Sequence, residues 1–209
     1  MLARYLGVAP AHVPLVDTPG RKPTIAGVRT LGFSLTHTPS VCVLAVAATL
    51  WVGVDAEEHR RIDDALALTA AFLAPEEFEA LRGVSPERRD AAFLRLWTCK
   101  EAFVKALGVG LADGLRGIVV RDFDGVAPVL AAIDPAYGRT RDWSLRTTAA
   151  VPGCHVAVAT RTPSARDDLH VREINLTDEH VVIVAQHPER QVRGHRDVDD
   201  LAGHTVIQR

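Results

Sequence analysis

WTCKEAFVK, residues 97–105, lies in the longest helical pattern of the sequence. Apolar residues recur at the spacing of one helix face from Pro86 to Leu107. Trp97, Glu101 and Lys105 are four residues apart, so a helix places them on one face. A carboxylate and an ammonium inside an otherwise apolar helix indicate a chemical role. A surface ion pair between adjacent helical turns is the structural alternative.

Strand patterns flank this helix on both sides. Two shorter helical patterns, 62–72 and 75–83, precede it, and Gly108 and Gly110 mark its predicted end. Strand-like runs lie at 31–35, 41–48, 51–55, 118–123, 129–133, 143–148 and 155–159. The order of strands, helices and strands predicts an α+β fold in which the long helix packs against a mostly antiparallel sheet.

Two carboxylates follow the apolar run that begins at Trp51. Asp55 and Glu57 are separated by one residue, so an extended chain directs both to the same side. A divalent cation removes the repulsion between paired carboxylates, and Mg²⁺ commonly takes one or two of them together with water and phosphate oxygens. The pair predicts a magnesium site, and a charged strand end exposed to water is the alternative.

The basic residues divide unevenly into 21 arginines and three lysines, Lys22, Lys100 and Lys105. A compact, titratable ammonium differs from a planar guanidinium, so the retained lysines are candidates for phosphate contacts. Chance within an Ala- and Arg-rich composition explains the same counts. Thr36 and His37 at a strand end add a hydroxyl and an imidazole that suit phosphate oxygens. A histidine in such a place often has a structural role instead.

The composition argues against several classes of protein. A net charge of −2 lacks the basic footprint of a nucleic-acid-binding protein, and no run approaches the length of a membrane span. We therefore expect neither nucleic acid nor a membrane as a partner. The N-terminus lacks the pattern of a secretory signal. Cys42, Cys99 and Cys154 are odd in number and widely spaced, which favours packing roles in a reducing cytoplasm.

Residues 161–209 differ in character from the rest of the chain. They contain short apolar runs such as 181–185 and five of the nine histidines, His170, His180, His187, His195 and His204. The spacing of these histidines is too irregular for one set of metal ligands. We expect a loosely packed extension, with a role in covering a site or binding a metal as the alternative.

Five motifs occur in a fixed order along the chain. They are K-P-x-I from Lys22, F-S-L-T-H-T from Phe33, V-G-V-D-x-E from Val52, F-L-x-x-E-E-F from Phe72 and W-T-x-K-E-A-x-x-K-x-x-G-x-G-L from Trp97. In this combination the sequence resembles the Sfp-type 4′-phosphopantetheinyl transferases over residues 1–160. The resemblance implies a pseudo-dimer of two α+β lobes with coenzyme A in the cleft between them.

This resemblance also implies a division of the chain into three parts. We expect residues 1–50 to be the remnant of a first lobe that is shortened at its N-terminus. Residues 51–160 would form the second lobe, with the metal-binding and catalytic motifs. Residues 161–209 would be an atypical C-terminal extension.

Each candidate residue gains an implied role from the resemblance. Asp55, Glu57 and Glu101 correspond to the acidic residues that hold Mg²⁺ on the coenzyme A pyrophosphate. Glu101 also corresponds to the general base, and Lys105 to the catalytic lysine that neutralises the phosphates. The residues that correspond to nucleotide or phosphate contacts, or lie within the same motifs, are Lys22, Pro23, Thr36, His37 and Lys100.

The implied activity is Mg²⁺-dependent transfer of 4′-phosphopantetheine from coenzyme A to a serine of an apo acyl, peptidyl or aryl carrier protein. We expect a cytoplasmic monomer, and the composition associates the chain with secondary-metabolite biosynthesis. A catalytically inactive homologue that binds coenzyme A or a carrier protein is the first alternative. An unrelated metal-dependent phosphohydrolase is the second.

Overall fold

The computed structural model describes residues 1–69, 72–109, 115–125, 127–149 and 151–161, with residues 170–177 and 180–186 as backbone alone. Its helices are α1 (Leu2–Leu6), α2 (Ala65–Thr69), α3 (Pro75–Gly83) and α4 (Pro86–Leu107). Its strands are β1 (Leu15–Val16), β2 (Thr24–Ile25), β3 (Gly32–His37), β4 (Cys42–Ala47), β5 (Val52–Glu58), β6 (Val119–Arg121), β7 (Val129–Ala132), β8 (Trp143–Thr148), β9 (Cys154–Arg161), β10 (His170–Thr177) and β11 (His180–Gln186). The predicted mixture of helices and sheets is confirmed.

Two larger sheets form the centre of the molecule. The first sheet has the order β10-β11-β4-β3, and the second sheet has the order β5-β9-β8. All neighbouring strands are antiparallel except β4 and β11, which are parallel. Strands β1 and β2 form a small antiparallel pair, as do β6 and β7.

A buried apolar layer joins the two sheets. Val43 and Ala45 of β4 belong to the same cluster as Val54 of β5 and Val158 of β9, and all four are at most 1% exposed. Strand β3 also reaches β5 directly, because the Val54 backbone N–H donates a buried hydrogen bond of 3.1 Å to Ser34 Oγ. The ends of β3 and β5 therefore lie side by side.

Helix α4 covers the opposite face of the second sheet. Pro86 occupies its first turn, and Gly108, with φ of 72°, ends it in the left-handed conformation that favours glycine. Gly53 permits the close approach of helix and strand, since a Cβ atom there would lie 2.0 Å from the Ala102 carbonyl oxygen and 2.3 Å from the Ala106 nitrogen. The same approach brings the middle of α4 against β5.

Several elements differ from the sequence expectations. Helix α2 is shorter than the 62–72 pattern, although residues 70 and 71 lie outside the described part of the chain. Strands β6 and β7 pair with each other and do not join β8 and β9 in one sheet. Gly110, predicted as part of the stop of α4, also lies outside the described residues. No helix of the described residues is long and apolar enough to cross a membrane.

The segment beyond residue 161 differs most from its expectation. Strands β10 and β11 form an antiparallel hairpin, and β11 adds to the first sheet beside β4, from His180 opposite Cys42 to Ala185 opposite Ala47. The expectation of a loosely packed extension is wrong for these two strands, because their backbones pair in the sheet. The histidines at positions 187, 195 and 204 lie outside the described residues.

One order of elements occurs twice along the chain. Helix α1 is followed by the pair β1–β2 and the hairpin β3–β4, and helix α4 is followed by the pair β6–β7 and the hairpin β8–β9. Gly7 ends α1 in the left-handed conformation, as Gly108 ends α4. Strand β11 lies beside β4, and strand β5 lies beside β9. The first pair is parallel, whereas the second pair is antiparallel.

Candidate active site

A cleft of about 650 Å³ opens where the ends of β3 and β5 meet α4. Its lining residues are Leu35, Thr36, His37, Thr38, Pro39, Asp55, Ala56, Glu57, Glu58, Arg60, Trp97, Glu101 and Lys105. The predicted helix face of Trp97, Glu101 and Lys105 is confirmed, since all three line this cleft. The α4 face therefore meets the two predicted carboxylates of β5 at one place.

Asp55 is the centre of a hydrogen-bonded group that joins three elements. Its Oδ1 atom accepts from Lys105 Nζ at 2.6 Å and from Thr36 Oγ1 at 3.2 Å, and Lys105 Nζ also lies 3.1 Å from Thr36 Oγ1. Burial raises the pKa of Asp55, while the neighbouring Lys105 ammonium opposes that rise. Asp55 Oδ2 is buried and makes no hydrogen bond within the described residues. One carboxylate oxygen thus has a bonding capacity that no described residue uses.

Glu101 lies near Asp55 and lines the same cleft. Its side chain is buried, and its Oε1 atom makes no hydrogen bond to any described residue. Burial and, secondarily, the negative charge of Asp55 raise the pKa of Glu101 to about 7. A carboxyl group with this pKa exchanges a proton readily near neutral pH.

Glu57 has a different partner from the other two carboxylates. Its Oε2 atom lies 2.6 Å from Arg60 Nη1, three residues further along the chain. The described residues contain no group of three or more His, Cys, Asp or Glu side chains already arranged to hold a metal ion. The three predicted ligands therefore line one cleft, but a guanidinium holds Glu57 and an ammonium holds Asp55.

Lys100 lies away from the cleft. Its ammonium is completely buried and forms an ion pair with Glu77 Oε2 of α3. Glu77 also accepts hydrogen bonds from the backbone N–H groups of Ala74 at 2.9 Å and Val120 at 2.8 Å. Lys100 therefore joins α4 to α3 and β6, and the structure does not bring it to the predicted phosphate contacts.

Lys22 and Pro23 also lie outside the cleft lining. The Lys22 ammonium donates to the backbone carbonyls of Leu50, at 3.1 Å, and Val52, at the junction between β4 and β5. Burial lowers the pKa of Lys22 to about 8. Pro23 is exposed. Of the predicted nucleotide-binding residues, only Thr36, His37 and Lys105 line the cleft.

Sequence reasoning did not assign Arg60, Glu58 or Glu77 to any role. Arg60 stands three residues after Glu57, a spacing that could have suggested a local ion pair. Glu58 ends β5 and contacts the turn that follows β3. The partner of Glu77 is 23 residues away in the sequence, so no local signal points to it.

Comparisons with known proteins agree with the motifs. The family model described as the 4′-phosphopantetheinyl transferase superfamily matches residues 51–159. The 4′-phosphopantetheinyl transferase HetI of Nostoc sp. is 34% identical over 164 residues, which cover 76% of this chain and 65% of that protein. The 4′-phosphopantetheinyl transferase psf-1 of Bacillus pumilus is 32% identical over 164 residues, with 78% and 67% covered.

A more distant relative comes from animals. The human L-aminoadipate-semialdehyde dehydrogenase-phosphopantetheinyl transferase is 27% identical over 183 residues, which cover 78% of this chain and 58% of that protein. The chain thus spans about two thirds of the length of the two bacterial relatives, and less of the human one.

Proposed function

The chain belongs to the 4′-phosphopantetheinyl transferase superfamily, and on that premise we propose that it transfers the 4′-phosphopantetheine group of coenzyme A to a serine of an apo carrier protein. The observation that carries this proposal is the meeting of Asp55, Glu101 and Lys105 at one cleft. Transfer from a pyrophosphate needs groups that move a proton and groups that stabilise negative charge on phosphate oxygens. This cleft offers both kinds.

Mg²⁺ is the proposed metal, held by Asp55 and Glu101, with Glu57 as a third ligand once its carboxylate turns from Arg60. All three side chains offer oxygen, and Mg²⁺ needs only one or two protein carboxylates because water and substrate phosphates complete its shell. The buried Asp55 Oδ2 and Glu101 Oε1 atoms, which lack hydrogen bonds within the described residues, support this assignment. When bound, the cation would neutralise charge on the pyrophosphate.

The proposed reaction forms one phosphorus–oxygen bond and breaks another. The serine oxygen of the carrier attacks the phosphorus that bears the pantetheine chain, and 3′,5′-ADP leaves with the bridging oxygen. The serine proton passes to Glu101, directly or through a water molecule. A bound cation would keep Glu101 ionised near neutral pH, which is the state that a base requires. Lys105 stabilises the negative charge on the phosphate oxygens.

The other candidate residues have supporting roles in this proposal. Thr36 and His37, on the cleft wall, bind phosphates or the nucleotide of coenzyme A. Lys22 and Pro23 contact the parts of the nucleotide that extend beyond the cleft. Lys100 holds α4 in place through Glu77.

We propose two lobes, residues 1–50 and 51–160, that form a pseudo-dimer. The repeated order of elements from α1 to β4 and from α4 to β9 supports this division. Residues 161–209 form an extension whose hairpin adds to the first-lobe sheet. We propose a cytoplasmic monomer that acts on acyl, peptidyl or aryl carrier proteins of secondary metabolism.

Intact-protein mass spectrometry tests the proposed activity. An apo carrier protein is incubated with the full chain, coenzyme A and Mg²⁺, and parallel reactions contain a chelator or the Glu101→Gln variant. We expect a mass gain of one phosphopantetheine that needs both the cation and Glu101. Glu79→Gln, on the exposed side of α3, is the matched control and should retain full activity.

Two outcomes would contradict the proposal. No transfer to several carriers, together with tight binding of coenzyme A by calorimetry, would favour a homologue that binds without catalysis. Release of phosphate from coenzyme A without any carrier would favour a phosphohydrolase.

A further inference from the structure

The turn between β3 and β4 forms one wall of the cleft. His37, Thr38 and Pro39 line the cleft at this turn. Within the turn, the Thr38 N–H donates to the Val41 carbonyl at 2.8 Å, and Thr38 Oγ1 accepts from the backbone N–H groups of Ser40 and Val41 at 3.3 and 3.1 Å. These bonds shape the turn locally, but they do not fix its position relative to the second sheet.

Glu58, the last residue of β5, supplies that connection. Its Oε1 atom accepts the backbone N–H of Ser40 at 3.0 Å and the Ser40 hydroxyl at 2.5 Å. The turn belongs to the first sheet and Glu58 to the second, so these two bonds join the sheets at the mouth of the cleft. Glu58 follows Glu57 directly in the sequence, yet it contacts a different element.

Two other polar contacts tie β3 to β5 further inside the molecule. Ser34 Oγ accepts the Val54 N–H, and Thr36 Oγ1 donates to Asp55 Oδ1. Both contacts are buried, whereas the contact of Glu58 with the turn is exposed to solvent. The inner contacts keep the strands together, and Val41 at the end of the turn is buried against the second sheet. The contact of Glu58 adds two hydrogen bonds at the exposed part of the turn.

From this arrangement we propose that Glu58 is a positioning residue that acts through Ser40 to hold the His37–Pro39 wall in place for coenzyme A. The inference rests on the proposed function, because it concerns the affinity of the same cleft for its substrate. Glu58 moves no proton and forms no bond to the substrate. It lowers the cost of ordering the turn when the substrate binds.

A series of variants in the full chain tests this role. Glu58→Ala removes both bonds, Glu58→Gln retains an acceptor oxygen, and Ser40→Ala removes only the hydroxyl bond. One or two hydrogen bonds to an exposed turn correspond to a change of about 3- to 10-fold in the KM for coenzyme A. We expect that rise for Glu58→Ala, a smaller one for the other two variants, and a kcat within about twofold of the parent in each.

Further measurements separate positioning from a general structural effect. The KM for the carrier protein should not change. Glu58→Ala combined with Ser40→Ala should be close to Glu58→Ala alone, because Glu58→Ala already removes the bond to the Ser40 hydroxyl, and the remaining contact of that hydroxyl, 3.4 Å from Thr38 Oγ1, lies within the turn. Glu79→Ala is the control for loss of an exposed carboxylate. Calorimetry with coenzyme A should give the same change in Kd as the change in KM.

Distinct outcomes would overturn the inference. An unchanged KM and Kd in Glu58→Ala would show that the turn needs no support from β5. A lower KM would show that the carboxylate repels the substrate phosphates, and a loss of kcat at constant KM would place Glu58 among the reacting groups. A parent protein that neither binds nor uses coenzyme A would overturn the proposed function, and this inference with it.

Discussion

Replacement of Lys100 by methionine would leave the Glu77 carboxylate buried without its cation. Glu77 would keep the N–H donors of Ala74 and Val120, but no positive charge would remain beside it. Breaking a buried ion pair by removal of one partner costs about 3–5 kcal/mol. With an m-value of about 2 kcal/mol/M in urea, the unfolding midpoint should fall by about 1.5–2.5 M.

A double variant provides the matched comparison. Glu77→Gln combined with Lys100→Met removes both charges, although one backbone N–H then faces an amide group that cannot accept from it. We expect the double variant to recover about 1–3 kcal/mol relative to Lys100→Met alone, since no uncompensated charge remains. Urea unfolding followed by tryptophan fluorescence measures all the variants, because Trp97 and Trp143 lie in or against the core around α4.

The reasoning fails if Lys100→Met unfolds within about 1 kcal/mol of the parent, since a buried pair of this kind costs several times more to break. A variant of unchanged stability with a raised KM for coenzyme A would be more informative still. It would restore the sequence prediction that Lys100 contacts phosphate and would require a different position for its side chain.

Three further predictions concern the cleft and its supports. Gly53→Ala should destabilise by about 1–3 kcal/mol or more in thermal unfolding, while Gly83→Ala, which has open space around it, should not. Lys105→Met should lower transfer by about 10²-fold with coenzyme A saturating. With chelator present, the free energy of unfolding of the parent minus that of Glu101→Gln should fall as pH rises from about 4.5 to about 7, because folded Glu101 holds its proton to a higher pH than the unfolded chain does; both proteins share the opposite contribution of His155, whose pKa burial lowers to about 4.

The helix at the centre of the site was predictable from local signals. Pro86 and Gly108 fix the ends of α4, and the spacing of Glu101 and Lys105 fixes their shared face. The meeting of that face with Asp55 depends on Gly53, whose missing side chain lets α4 approach β5. The sequence shows only that Gly53 lies two residues before Asp55, and this spacing alone does not predict the contact between α4 and β5.

The sequence predictions that failed have one physical origin in common. In each case the position of the residue or strand is determined by a partner that is distant in the sequence. Lys100 stands at the edge of the reactive helix face, but Glu77 determines the side to which its ammonium turns. The apolar run 181–185 lies in β11, yet nothing local predicts that this strand pairs in parallel with β4. Ser40 and Glu58 are likewise joined only by the packing of two sheets.

The parallel pairing of β4 with β11 joins two strands that are synthesised at different times. Ribosomes add about 5–20 residues per second, so β11 emerges on the order of ten seconds after β4. During that interval one edge of β4 lacks its neighbour, and an unpaired edge can pair with other chains. The sheet that carries the turn between β3 and β4 therefore gains its β11 neighbour only after α4 and its carboxylate have already been made.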